Sequence, residues 1–282
     1  MRSAPSNAHA RKSSPRKPRA KAPPGSQTLL RGLDVIEAIT DGPIALGDLA
    51  AKLGLTRSTA HRLAAALIER RYLTFAPRVG YQFGPKLLEL GFLAQRQTDV
   101  VQVARPYLET LALSTGDTVH LGILDGDRAL YLDKIPGRRR VEISSRVGDR
   151  HPLTSTGLGK ALLLDEQIER WRQLFVLDQS TGSPPADYEV WLARMKTYAG
   201  FGHAFDLEEN EDLIRCVAAP IRDASGGIVA AMSVSSAAQY MTDERMQALA
   251  NEVRATAAGV SSDLGWSAKS PTKRPGRNGG RK

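Results

Sequence analysis

Leu53–Leu67 reads LGLTRSTAHRLAAAL. An apolar segment stops at Gly54. Thr56 then offers a capping hydroxyl, and Arg57, Ser58, Thr59, His61 and Arg62 follow on a run of strong helix formers. The spacing predicts a helix from about Thr56 to Arg71, with Ala60, Leu63, Ala64 and Leu67 on one apolar stripe and Arg57, Ser58, His61 and Arg62 on the opposite side. The small run Ala64-Ala65-Ala66 is expected to let this helix pack closely on its neighbours. One basic helical face, taken alone, is a capped surface helix with solvated cations. Its surroundings decide whether it touches anything.

Upstream, SQTLLRGLDVIEAIT places Leu29, Leu33 and Ile36 at helical spacing behind Ser26 as N-cap, and Asp41-Gly42-Pro43 stops it. A second short helix, LGDLAAKLG, ends at Gly54. Downstream, Tyr72–Phe75 and Tyr81–Gly84 flank a Pro/Gly turn and read as a hairpin. Three helices followed by a two-stranded ribbon form the winged helix-turn-helix plan. In that plan the second helix of the motif enters the major groove and its N-terminal residues meet base edges. Thr56, Arg57, Ser58, Thr59, His61 and Arg62 then stand where contacts to double-stranded DNA are needed. Arg suits guanine or phosphate, and hydroxyls suit phosphate and sugar. Arg78, at the tip of the wing, reaches backbone or minor groove.

The charge distribution agrees. The chain of 282 residues has a formal net charge of +9, but residues 1–25 carry seven Lys/Arg and residues 266–282 carry six, with no Asp or Glu in either. Residues 26–98 hold nine basic and six acidic residues, whereas 99–265 hold 17 basic and 24 acidic. A mildly basic front domain joined to an acidic larger one suits a polyanion held by the front half. The tails are Pro-, Lys- and Ser-rich and read as disordered; they are either solubilising or an accessory DNA contact. No run reaches the roughly 18–20 apolar residues of a membrane span, and the basic N-terminus lacks the apolar stretch of a secretory signal. A single cysteine, Cys216, excludes an internal disulfide and points to a reduced, cytoplasmic compartment.

Pro85–Gln97 reads as a helix linking two domains. Beyond it, strands are expected at Val119–Leu124, Leu130–Ile135, Cys216–Ile221 and Ile228–Ser235, and helices at Pro106–Ser114, Leu158–Leu164, Gln167–Phe175, Glu189–Tyr198 and Asp243–Leu264. Hairpin strands mixed with helices make an antiparallel α+β domain. The expected organisation is a basic tail (1–25), a winged helix-turn-helix domain (26–84), a linker helix (85–99), an α+β domain (100–265) and a second tail (266–282).

Gln27–Gly84, with LLRGLDVIEAI, ALGDLAAKLGLTRSTAHRLAAALIERRYL and YQFG, resembles the DNA-binding domain of the IclR family of bacterial transcriptional regulators. RVGDRHPLTSTGLGKALL (146–163) and GFGHAFDLEENEDLIRCVAAPIRDASGGIVAAMSVSS (200–236) resemble that family's effector domain. The resemblance spans about residues 26–265. It implies a GAF-like α+β effector domain that binds a small organic acid, a homodimer formed through the N-terminal domain, and assembly into tetramers. The positions that match ligand-contacting ones are Gly157, Leu158, Asp206, Cys216, Ser233 and Ser235. Leu158 is bulkier than the alanine that can occupy its position, and Ser236 replaces a Gly common after the second serine. Beside the resemblance, Gly157 and Leu158 open an expected helix whose free amides favour an anion, and Ser233 and Ser235 share one side of a strand. An acceptor at Asp206 then suits a hydroxylated or keto carboxylate. The rival reading of the serines is close packing of small residues against a helix.

Other chemistry is weaker. Thr154–Ala161 lacks the first Gly and the Ser/Thr after Lys160 that a phosphate loop needs. His203, Asp206, Glu208, Glu209 and Cys216 have no metal-site spacing. Cys216 with His120, His151 and His203 carries no signature of a thiol nucleophile. Arg138-Arg139-Arg140 sits in a loop of the acidic domain, as a solvated turn or an oligomer contact. The expectation is a regulator, without cofactor or metal, that represses a catabolic operon and answers to a sugar acid or aromatic acid. The alternatives are a small-molecule enzyme with an accessory DNA-binding module and a non-specific basic DNA binder.

Overall fold

The computed structural model describes residues 26–140, 143–181 and 187–267, in two compact units divided between Gln97 and Thr98. Residues 1–25 and 268–282, which hold nearly all of the two expected tails, lie outside the described residues.

The first unit runs α1 (Gln27–Glu37), α2 (Leu46–Leu53), α3 (Arg57–Glu69), β1 (Leu73–Ala76), β2 (Gly80–Phe83) and α4 (Pro85–Gln97). It is the winged helix-turn-helix that the pattern implies. Val35, Ile39, Leu49, Leu63, Ala64, Leu73 and Tyr81 form its core. Gly54 ends α2 in the left-handed conformation (φ 64°), and the Thr56 hydroxyl accepts from the Thr59 amide at 3.2 Å to start α3. β1 and β2 pair antiparallel from Leu73↔Phe83 to Ala76↔Gly80. The wing is docked by a two-way bridge, Ile44 N–H to Tyr81 O at 3.1 Å and Tyr81 N–H to Ile44 O at 2.9 Å. Gly80 lies at that bridge with φ +110°, and an added Cβ would stand 2.6 Å from the Ile44 carbonyl carbon.

Three local readings change. Ser26 stands at the N-cap position but has helical dihedrals and makes no side-chain cap bond. α1 stops at Glu37, and turns from Ala38 onward precede Asp41-Gly42-Pro43. Ala64 is buried in the core, but Ala65 and Ala66 are exposed, because the buried stripe of α3 runs through Ala60, Leu63, Ala64, Leu67 and Ile68 and leaves those two on the other side.

The second unit runs α5 (Val100–Thr115), β3 (Thr118–Asp125), β4 (Arg128–Ile135), β5 (Arg150–Pro152), α6 (Gly157–Leu162), α7 (Ile168–Ser180), α8 (Tyr188–Phe201), β6 (Ala204–Leu207), β7 (Ile214–Arg222), β8 (Ile228–Ala237) and α9 (Asp243–Asp263). One antiparallel sheet of order β5-β4-β3-β8-β7-β6 forms the middle layer. α5 and α9 cover one face, which presents Val119, Leu121, Val217, Met232 and Val234, each fully or almost fully buried. α6 lies on the other face. The indole N–H of Trp171 donates to Leu163 O (2.7 Å) and that of Trp191 to Thr154 O (2.8 Å), so α7 and α8 brace both ends of α6.

The sequence pattern placed the start of α5 at Pro106, as a first-turn proline; the helix instead starts at Val100, capped by the Asp99 carboxylate on the Val101 amide (2.8 Å), and Pro106 lies inside it. The four expected strands are each longer than expected, and α7 and α8 also run beyond their expected ends. β5 and β6, of three and four residues, were not anticipated.

Gly80→Ala is expected to lower the stability of the first unit by about 2–3 kcal/mol, through the left-handed φ and the clash with Ile44. Chemical unfolding followed by the Tyr81 environment checks it; an unchanged midpoint would show that the wing is not held at this bridge.

Candidate functional site

α3 presents Thr56, Arg57, Ser58, His61 and Arg62 to solvent, with Thr59 half-buried behind its bond to Thr56. The Arg57 guanidinium folds back toward α2: one of its nitrogens lies 3.3 Å from where a Cβ on Gly47 would stand. Among the described residues, Arg57, Arg62 and Arg78 have no ion-pair partner. Arg78 sits at the wing tip in the left-handed region (φ 67°), a conformation that costs a side-chain-bearing residue roughly 1–2 kcal/mol. Strain of this kind gathers at functional positions.

In the second unit, strand register settles which residues share a face. Asp206 pairs with Cys216, Cys216 with Ser235, and Ser235 with Thr118, one row across β6, β7, β8 and β3. The next row runs Ala204, Ala218, Ser233, His120 and Lys134, from β6 to β4. Both rows lie on the face that α6 covers. A Cβ on Gly157 would overlap the Cys216 sulfur and stand 3.5 Å from Asp206 Cβ, and Leu158 Cδ2 lies 3.0 Å from where a Cβ on Gly122 would be. Of the six residues carried by the family resemblance, Asp206, Cys216, Ser233 and Ser235 thus lie in two adjacent rows of the sheet, and Gly157 and Leu158 open the helix that packs on them.

The start of α6 is not the open anion cradle that its sequence suggested. Thr156 Oγ1 takes the Gly159 N–H at 3.0 Å, and the Gly157 N–H and the Ser235 hydroxyl are hydrogen-bonded to the Cys216 sulfur. Burial and the Asp206 charge beside it push the thiol up to about 12. Cys216 is thus a neutral, polarizable wall and not a nucleophile. Asp206 is pushed up to about 6, chiefly by burial and against the pull of Lys160. It accepts the Glu209 N–H at 2.9 Å. Lys160, 1% exposed, donates to Phe205 O at 3.0 Å and pairs with Glu209, which also takes Arg194 at 3.1 Å. Among the described residues, no group of three or more His, Cys, Asp or Glu side chains is placed to hold a metal.

The sequence reading missed Thr118 and Lys134 on this face and considered His120 only as a partner for a thiol. Their signal was the period-two spacing Thr118-x-His120 on a strand already expected. Lys160 entered only as the lysine of a failed phosphate loop; its burial had no sequence signal. In the arginine run, Arg139 is tied to Asp117 at 2.8 Å and stacks 4.7 Å from the Tyr240 ring centroid, so it is a structural contact and not a solvated turn.

Because Asp206 ionises at higher pH in the folded chain than in the unfolded one, the folded state holds an extra proton between about pH 4 and pH 6, and its ionisation costs stability above that window. The stability of the protein relative to Asp206→Asn should therefore fall by about 2–3 kcal/mol from pH 4 to pH 7 and stay level beyond. Urea unfolding of both proteins across that range tests it, and a difference that does not vary with pH would show Asp206 to be ordinary.

Residues 28–77 match the family model of the IclR helix-turn-helix domain, and residues 92–262 match that of the bacterial transcriptional regulator IclR C-terminal domain. The transcriptional regulator XynR of Escherichia coli K12 is 29% identical over 248 residues, covering 86% of this chain and 98% of that protein. The transcriptional repressor AllR of the same strain is 28% identical over 250 residues, covering 86% and 92%. The crystal structure of the Agobacterium tumefaciens repressor BlcR shares the fold with a TM-score of 0.73 at 24% identity, over 86% of this chain and 99% of that one. These relatives are regulators and not enzymes, and two matched domains in order leave one conclusion: this chain belongs to the IclR family and is a DNA-binding transcriptional regulator.

Proposed function

We propose that the chain is a cytoplasmic repressor of a catabolic operon, released from a palindromic operator when a small hydroxy- or keto-carboxylate binds in the second unit. The observation that carries this reading is the packing of Gly157 and Leu158, at the start of α6, on the two sheet rows that hold Asp206, Cys216, Ser233 and Ser235, in a chain whose other unit carries an exposed basic reading helix. Repression is inferred from AllR and BlcR, both named repressors. Among the described residues no helix is long and apolar enough to cross a membrane, which agrees with a cytoplasmic site of action.

In this reading Arg57 and its neighbours meet base edges, while Arg62 and Arg78 hold backbone. The chain acts as a homodimer that can pair into a tetramer. Leu29 and Leu33 on α1 and Leu88 on α4 are 66%, 44% and 79% exposed, apolar surface on the DNA-binding unit that a second copy would cover. The acid acts only through different affinity for the operator-bound and released states.

Binding of the full-length protein to DNA from upstream of its own gene, against a scrambled duplex at two salt concentrations, tests the reading. A preference of roughly a thousandfold that survives higher salt marks operator recognition. Equal, salt-sensitive binding to both duplexes marks a non-specific binder.

Two variants sharpen the test. Arg57→Ala should cost roughly 1–3 kcal/mol of operator affinity and relax specificity, whereas unchanged affinity would remove α3 from the reading role. Arg78→Gly should stabilise the fold by about 1 kcal/mol, by relieving the left-handed strain, and yet weaken operator binding. A gain in both, measured by thermal melting and gel shift, would show that the wing tip does not touch DNA.

A further inference from the structure

On the face beneath α6 two neighbouring polar atoms have no hydrogen-bond partner among the described residues, and a third, His151 Nε2, lies two ring contacts away through Tyr131. His120 and Ser233 are each 1% exposed, and the His120 Nδ1 and the Ser233 hydroxyl find no hydrogen-bond partner among the described residues. The two residues are register partners on β3 and β8, so their Cβ atoms lie about 4.5–5.5 Å apart on the same side of the sheet. Buried polar groups in folded proteins are almost always hydrogen-bonded, so two unmatched ones side by side mark a place whose partner is not protein. The other ring nitrogen of His120, Nε2, is bonded to the Ser145 hydroxyl at 2.9 Å. Burial, with Lys134 nearby, pushes His120 down to about 3, so the ring is neutral and Nδ1 either gives or takes one hydrogen bond to an oxygen.

A cleft of about 380 Å³, lined by Thr118, Lys134, Gly137, Ser144, Ser145 and Arg146, adjoins His120 through Lys134, its register partner, and Ser145, which bonds its Nε2. Its floor belongs to the same two rows, since Thr118 pairs with Ser235 and Lys134 with His120. The strap over it, Ile143–Arg146, is held by the Lys134 ammonium on Ile143 O (2.7 Å) and Ser145 O (2.6 Å), and by Ser144 on Glu211 (3.0 Å).

We infer that His120 is an effector-binding residue: its Nδ1 and the Ser233 hydroxyl together receive an oxygen of the ligand, while its Nε2 ties that end of the site to the strap through Ser145. The inference rests on the reading of this face as an acid-binding site and extends it by one strand, from β8 to β3. From Cys216 on β7 to His120 on β3 is two strand spacings, roughly 10 Å. A ligand that meets both ends is an elongated polyhydroxy carboxylate, not a two-carbon acid.

The experiment is calorimetric titration of the full-length protein with D-gluconate, and with glycolate as the short acid, for the wild type, His120→Asn and His120→Gln. Asn puts a polar atom near the place of Nδ1 and cannot reach Ser145; Gln reaches toward Ser145 and leaves the Nδ1 position empty. Gluconate binding should survive within a few-fold in His120→Asn and weaken about tenfold or more in His120→Gln, with operator affinity and cooperative melting kept in both. The reverse order would overturn the inference and make His120 a strap anchor. Equal binding in all three would also overturn it, and loss of binding in Asp206→Asn would then show that the acid site itself stands. If glycolate binds and gluconate does not, the elongated ligand is wrong; if neither binds the wild type, the acid-binding reading falls and takes this inference with it. Should a variant fail to fold, the ¹⁵N shifts of His120 in the wild type decide: a change at Nδ1 on adding gluconate supports the inference, and an unchanged Nδ1 overturns it.

Discussion

A short helix pressed against a polar sheet face is the constraint on which the effector unit depends. α6 approaches so closely at Gly157 that a single methyl would overlap the Cys216 sulfur. Under its start, on β6, β7 and β8, the sheet carries mostly small side chains: Ala204, Ala218, Ser233, Ser235 and Cys216. The opposite face pays for this with a mainly apolar surface of Val119, Leu121, Val217, Met232 and Val234 against α5 and α9. The two faces of one sheet thus divide the labour, one holding the fold together and the other left polar enough to recognise a ligand. Alternation along each strand makes the division possible, because a residue and its neighbour never share a face.

Electrostatics separate the two units in a similar way. Buried carboxylates in the effector unit have cations of their own: Asp117 takes Arg139 and Arg245, Asp133 takes Arg105, and Asp178 takes Arg128. Lys160, the one fully buried cation among the described residues, has Glu209. Breaking such a buried pair strands a charge and costs more than the pair itself contributes. In the first unit the guanidinium groups of Arg57, Arg62 and Arg78 carry no such partners. Their charges are therefore open to a polyanion, whereas many cations of the second unit are already paired inside it.

The first unit was almost wholly legible in the sequence, because each of its boundaries has a chemical mark: Gly54 for the left-handed cap, Thr56 for the N-cap, and Pro77 and Gly80 for the wing turn. The second unit was legible where strands alternate over eight or more residues. β5 and β6 were not, since three or four residues give no periodicity to read, and Pro106 misplaced the start of α5 because an interior proline looks like a first-turn one. The site was legible only in part. Ser233 and Ser235 share a face by spacing alone, but that Asp206, Cys216, Ser235 and Thr118 form one row is a fact of register between strands distant in the chain. No local pattern carries it. The orphaned nitrogen of His120 is likewise a property of its surroundings.

The strands at the margins of the sheet have a further consequence. β5 and β6, the outermost members of the order β5-β4-β3-β8-β7-β6, are three and four residues long, and β5 ends at Pro152, which has no amide hydrogen to offer. A sheet margin so short and so interrupted is a poor template for a strand from another molecule. A long, unprotected margin would instead pair with that of a neighbouring molecule and propagate into aggregates. The brevity that hid these two strands from the sequence pattern is a safeguard against that polymerisation.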